Sequence, residues 1–184
     1  TRRSSDLPED AFGKTVVYHY GVEITNDDGT TEKLYDYVMS DLTIHSFGGT
    51  KNITFASNED GKTVTAYSIW PNENSTKIPA SIKVNGISYK VTAIGNYVNE
   101  NKKLKAVTIP ATVKSIGKEA FVNAKDLKTI TINGNVTKIG ANAFKGINKK
   151  AVFKIKTASS NYKKIVSKIK KAGAPKSVTF KIVK

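Results

Sequence analysis

Between Leu104 and Lys149 the apolar positions fall in the same order twice. LKAVTIPATVKSIGKEAFVNAKD (104–126) and LKTITINGNVTKIGANAFKGINK (127–149) align at an offset of 23 residues. Leu104/Leu127, Lys105/Lys128, Thr108/Thr131, Ile109/Ile132, Val113/Val136, Ile116/Ile139, Gly117/Gly140, Ala120/Ala143 and Phe121/Phe144 are identities, and Val107 faces Ile130. A fixed period of about 20–50 residues marks a repeat architecture. One such unit cannot enclose its own apolar residues, so it must stack on a neighbour.

The spacing inside a unit says how it stacks. Leu104, Val107 and Ile109 end in V-T-I alternation, which predicts a short strand. Pro110 ends that ladder because it has no N–H to donate. A second brief extended piece carries Val113 and Ile116, and Gly117 follows at a corner. A residue without Cβ serves there either by taking positive φ or by letting two backbones approach closely. Ala120 and Phe121 then turn inward together, so stacked units place Ile on Ile and Phe on Phe.

Elsewhere the pattern is mostly extended. Residues 14–25 (KTVVYHYGVEIT) predict a strand with a bend at Gly21, and Asn26–Gly29 a turn. Residues 32–46 allow a helical turn by the spacing of Leu34, Tyr37, Val38 and Asp41, but Leu42-Thr43-Ile44 favours strand. After a break at Phe47-Gly48-Gly49, NITFAS (52–57) and KTVTAYSIW (62–70) form a hairpin around Asn58–Gly61, closed by Pro71. Residues 78–98 are a degenerate first repeat, with a tight Asn85-Gly86 hairpin and Ile94-Gly95 in place of Ile116-Gly117. Tyr97 and Val98 occupy the expected Ala-Phe positions. AVFKIK (151–156) continues the strand column at the same period. Tyr162, Ile165, Val166 and Ile169 then mark a helix over about 160–172, capped by Ser159 or Ser160 and stopped by Gly173 and Pro175. SVTFKIVK predicts a last strand over about 177–183.

The recurring L-x-x-[IV]-x-[IL]-P-x-x-[VL]-x-x-I-G-x-x-A-F pattern resembles the BspA-like leucine-rich repeats. The match is close over 104–149 and looser through 78–103 and 150–156. The resemblance implies a predominantly β, α/β-class fold: a short right-handed leucine-rich-repeat solenoid. In that reading residues 1–13 are a polar tail, 14–76 a β-hairpin-rich N-terminal cap, 77–157 the repeats and 158–184 a helix-plus-strand C-terminal cap. It also implies a secreted or surface-attached bacterial protein used for binding or adhesion rather than catalysis.

Charge changes the picture when the chain is split. Residues 1–76 hold six Lys/Arg against twelve Asp/Glu; residues 77–184 hold 24 against three, within a net +15. Such asymmetry fits a polyanionic partner, an electrostatic match between the halves, or a surface simply rich in lysine. Cysteine is absent, which excludes disulfides, thiolate metal sites and catalytic thiols. No apolar run is long enough to span a membrane. The TRRSS start, with neither Met nor an apolar leader, reads as a trimmed or processed product.

Chemistry is sparse. His19 and His45 lack zinc spacing, and Asp27-Asp28 and Glu59-Asp60 sit at turn tips where carboxylates stay untuned. No phosphate loop, dinucleotide fingerprint or G-x-S-x-G occurs, so no cofactor, metal or enzymatic activity is expected. Arginine is confined to Arg2 and Arg3, which argues against sequence-specific nucleic-acid reading. Alternation instead places Lys105, Ala106, Thr108, Lys128, Thr129, Thr131 and Lys154 on the strand face turned away from the core. That is the candidate surface for a host or bacterial surface protein or glycan. Lys163, Lys164, Lys168, Lys170 and Lys171 form a candidate polyanion cluster on the helix.

Overall fold

A computed structural model of the chain describes residues 19–25, 31–38, 43–45, 53–58, 60, 62–69, 74–84, 87–99 and 103–183. β1 (His19–Thr25) and β2 (Thr31–Val38) pair antiparallel, with a register shift between His19 and Gly21 where a bend was expected. β3 (Thr43–His45), β4 (Ile53–Ser57) and β5 (Thr63–Ile69) run antiparallel in succession. Then follow β6 (Ser75–Lys77), β7 (Ser81–Val84), β8 (Ile87–Ile94), β9 (Ala106–Ile109), β10 (Ser115–Ile116), β11 (Thr129–Asn133) and β12 (Lys138–Ile139). β13 (Val152–Lys156), helix α1 (Ser159–Lys171) and β14 (Thr179–Ile182) complete the order. The expectations for residues 1–18, the Asn26–Gly29 turn and the Phe47-Gly48-Gly49 break fall outside the described residues.

Strands from successive repeats build two parallel ladders. One sheet runs β14-β13-β11-β9-β6, with every neighbour parallel. Its apolar columns are Val107–Ile130–Phe153–Phe180 and Ile109–Ile132–Ile155–Ile182, buried except at the β14 edge, where Phe180 is partly covered and Ile182 is exposed. The second sheet runs β12-β10-β8-β5-β4-β3, with β7 hairpinned onto β8. Here Ile139, Ile116 and Ile94 share a register, followed by Ala66 of β5. The 23-residue period is thus the length of chain needed to return to the same rung one strand further on.

The corners are stacked as tightly as the strands. Gly117 and Gly140 serve by close approach: a Cβ on Gly117 would lie 2.5 Å from the Gly95 backbone, and one on Gly140 2.4 Å from the Lys118 nitrogen. Past them, Asn99 N–H donates to Ala120 O (3.0 Å), Phe121 N–H to Ala143 O (2.9 Å) and Phe144 N–H to Ala172 O (3.0 Å). The backbone at the end of α1 therefore supplies the rung that a further repeat would supply. Inside, the Phe121 and Phe144 rings stack at 5.8 Å, Phe144 meets Phe153 edge-on at 5.1 Å, and Phe153 stacks on Phe180 at 5.2 Å.

Three details correct the sequence reading. Counting on from Gly95 as from Gly117 puts Val98 and Asn99, not Tyr97 and Val98, at the Ala-Phe positions. Val98 is buried, while Tyr97 is exposed at φ +51°, sharing its left-handed corner with Glu119 and Asn142. The helix cap is Ala158, in extended conformation and without a side-chain bond; Ser159 already lies in the first turn, so neither serine caps it. The last strand is Thr179–Ile182, shorter than expected because Val178 N–H turns back to Pro175 O. The other end of α1 is as expected. Gly173 takes φ +85°, its N–H meets Lys170 O, and Ala174 N–H meets Ile169 O.

Candidate functional site

Alternation along the five-stranded parallel sheet leaves one set of side chains facing away from the apolar columns. Parallel registration turns that set into two rows. Ser75, Ala106, Thr129, Val152 and Thr179 form the first; Lys77, Thr108, Thr131, Lys154 and Lys181 form the second. Neighbouring positions in a row lie about 4.8 Å apart, the spacing between paired strands.

All seven expected face residues fall in or beside these rows. Ala106, Thr108, Thr129, Thr131 and Lys154 are members. Lys105 and Lys128 are exposed one residue before the strands, where Lys128 N–H and Thr129 N–H both donate to Lys105 O and Val152 N–H donates to Lys128 O. The structure adds Ser75, Lys77, Val152, Thr179 and Lys181. The 23-residue offset from Thr129 would have found Val152. β6 lies 31 residues before its register partners and β14 27 after, so the period misses both. The rows are mixed rather than uniformly basic: the first alternates hydroxyls with Ala106 and Val152, and in the second lysines sit toward the edges with Thr108 and Thr131 between them. Lys154 and Lys181 stand in register on adjacent strands, a like-charged pair that weakens the sheet unless an anion lies across it.

The five helix lysines divide. Ile165 and Ile169 are buried, with Tyr162 and Val166 packed partly against the core. Helical spacing puts Lys164, Lys168 and Lys171 along one flank and Lys163 and Lys170 along the other. Lys170 Nζ sits 5.7 Å from the centre of the Phe180 ring, so it packs on β14 as well as carrying charge.

One expectation about titratable groups is overturned. Asp60 is exposed, but its carboxylate accepts from Lys62 N–H (2.9 Å), Thr63 N–H (2.8 Å) and the Thr63 hydroxyl (2.7 Å). The Lys62 N–H chiefly, then the Thr63 hydroxyl, hold its pKa below the usual 3.8. This is turn architecture rather than a catalytic arrangement. Among the described residues no three His, Cys, Asp or Glu side chains gather to hold a metal ion. No helix of the described residues is long and apolar enough to cross a membrane.

Two parallel ladders, glycine corners and a phenylalanine column thus recur along one stack. Residues 92–179 match the sequence profile of the BspA type leucine rich repeat region in six copies. Among solved structures, the chain is similar to a leucine rich cell surface protein from Faecalibacterium prausnitzii A2-165. The TM-score is 0.50 with 26% identity, covering 79% of this chain and 44% of that one. A leucine-rich repeat protein from Bacteroides ovatus ATCC 8483 aligns at TM-score 0.45 and 22% identity, over 71% of this chain and 36% of that one. One from Bacteroides capillosus ATCC 29799 aligns at 0.40 and 22%, over 79% and 88%. The chain spans less than half the length of the F. prausnitzii protein. No curated protein matches it.

Proposed function

We propose that this chain is a non-enzymatic binding module of a bacterial surface or secreted protein. It presents the two outward rows of the parallel sheet to a host or cell-wall ligand, for adhesion or recognition. The observation that carries this reading is the alignment of Thr108, Thr131, Lys154 and their neighbours into continuous rows on a face the core does not use. Likeness to a leucine rich cell surface protein supports an extracellular or cell-surface location. The repeats over 77–157 form a short right-handed solenoid. Residues 158–184 close one end, a role supported by Ala172 accepting from Phe144 and by the helix side turned away from the core being lysine-rich. Residues 14–76 close the other end, after a polar tail at 1–13.

A second reading rests on the 24 Lys/Arg against three Asp/Glu beyond residue 76. In it the chain is a spacer held electrostatically on anionic wall polymers, without a specific ligand. One experiment separates the two: binding to a panel of wall glycopolymers and extracellular-matrix proteins at low and high salt, with Lys105→Glu, Lys128→Glu and Lys154→Glu combined. Selective binding that survives salt and is lost in the variant supports recognition. Uniform, salt-sensitive binding supports the spacer. Binding that survives both salt and the triple change removes the strand face from the proposal.

A further inference from the structure

The second sheet carries a groove that neither reading uses. It is open, about 640 Å³ in volume, and runs over the outward side of β5, β8 and β10. Its floor includes Gly95 and Gly117, which bring backbone rather than side chains to the surface. Tyr67 stands at one side, beside Gly95; its Cα would lie 3.6 Å from a Cβ there. Tyr97 stands at the corner two residues further on. The two tyrosines are 58% and 55% exposed, the largest values among the exposed large hydrophobic side chains of the described residues. Asn96, Thr65 and Ser115 complete the polar lining, and Asn96 Oδ1 is held by Lys118 N–H at 2.7 Å, which orients its amide.

Two features separate this groove from ordinary surface. The described residues lining it bear no charge, although the chain as a whole carries +15. Tyr97 also holds the left-handed conformation at φ +51°. The fold imposes that backbone, since Glu119 and Asn142 share it, but the fold does not ask for a tyrosine. Asn142 is the residue type that tolerates such a φ well, whereas a bulky side chain there is strained and such strain gathers at functional sites.

We propose that this groove binds a neutral glycan, one pyranose ring lying against Tyr67 and the next against Tyr97. The negative face of an aromatic ring attracts the polarised C–H bonds on one face of a sugar. The hydroxyls around that sugar find amide and hydroxyl partners in Asn96 and Ser115. An uncharged lining selects against anionic polymers, which the lysines elsewhere attract. The site lies on a different sheet from Lys105, Lys128 and Lys154, so it stands or falls independently of the strand-face proposal.

The test is an NMR titration of the full chain with cellohexaose, laminarihexaose, maltohexaose and chitohexaose, each to about 5 mM, above a weak site's millimolar Kd. At least one should shift the Gly95, Asn96, Tyr97 and Gly117 amides, with a Kd insensitive to salt. Tyr67→Ala and Tyr97→Ala should each weaken it at least about tenfold. Tyr97→Asn should melt no lower than the parent, because asparagine suits the left-handed corner, and yet lose binding. The Lys105/Lys128/Lys154 variant should bind these sugars normally. No shift with any of the four, shifts centred elsewhere, or undiminished binding by Tyr97→Asn would overturn the proposal.

Discussion

Phe144 touches a ring on each side, stacked on Phe121 and edge-on to Phe153, and none of the three is exposed. Removing it therefore opens the middle of the column, whereas removing Phe121 trims one end. We expect Phe144→Ala and Phe121→Ala each to cost about 3–5 kcal/mol, Phe144→Ala the more, measured by denaturant melts. A near-zero cost for either would take that ring out of the core. Gly140→Ala should also destabilise, because its Cβ would meet backbone atoms of Gly117 and Lys118 that have no room to move. Overpacking of this kind costs about 1–3 kcal/mol. Asp60 gives a pH signature. Its folded pKa is lowered, so the stability it adds is present above its unfolded value of 3.8 and is lost as pH falls through the folded pKa. Asp60→Asn should flatten that acid limb of a melting-temperature profile. At this scale the identities at 23 residues made the phenylalanine column readable. Tyr97 was misplaced because apolar character was matched to Phe121, where counting from the glycine would have led to Asn99.

Elements were readable where one face is buried and another is not. The 3.6-residue period of α1 and its Gly173 stop were plain, and so was the pairing of β4 with β5 and of β7 with β8. β6 was not: Ser-Thr-Lys has no apolar alternation, and only the register with Ala106–Thr108 makes it a strand. The helix N-cap was missed for a related reason, since the capping carbonyl belongs to an alanine whose backbone, not its side chain, turns the chain. Deleting residues 158–184 tests what α1 and β14 do together. Phe144 N–H would lose Ala172 O, Phe153 would lose the ring of Phe180, and the edge of β13 would be left with unpaired groups. We expect the truncated chain to aggregate or self-associate in sedimentation experiments, since an open sheet edge is a template for pairing. A soluble monomer with a cooperative melt would show that the last strand and helix are not needed to close the stack.

Taken whole, the molecule is polar in charge as well as in sequence: residues 1–76 carry an acidic excess and residues 77–184 a strongly basic one. The sequence made this asymmetry visible but not its distribution, because lysine contacts depend on which faces the stack leaves outside. Of the helix lysines, Lys170 lies over Phe180 and the other four line the two flanks of α1. That difference sharpens the expected outcome of neutralising them. Lys170→Gln alone should cost about 0.5–1 kcal/mol through the lost contact with the ring. Changing Lys163, Lys164, Lys168 and Lys171 to Gln should leave the melting temperature almost unmoved, since glutamine and lysine have similar helix propensity. If the basic half attracts polyanions, the four changes should weaken binding to heparin or teichoic acid and flatten its salt dependence, by up to about one unit of log–log slope per contact removed. The acidic residues before position 77 would compete for the same field, so a chain lacking residues 1–76 should bind these polymers more tightly at low salt. Equal affinity across the parent, the four-fold variant and the shortened chain would show the lysines to be solvated surface and leave recognition to the strand face and the tyrosine groove.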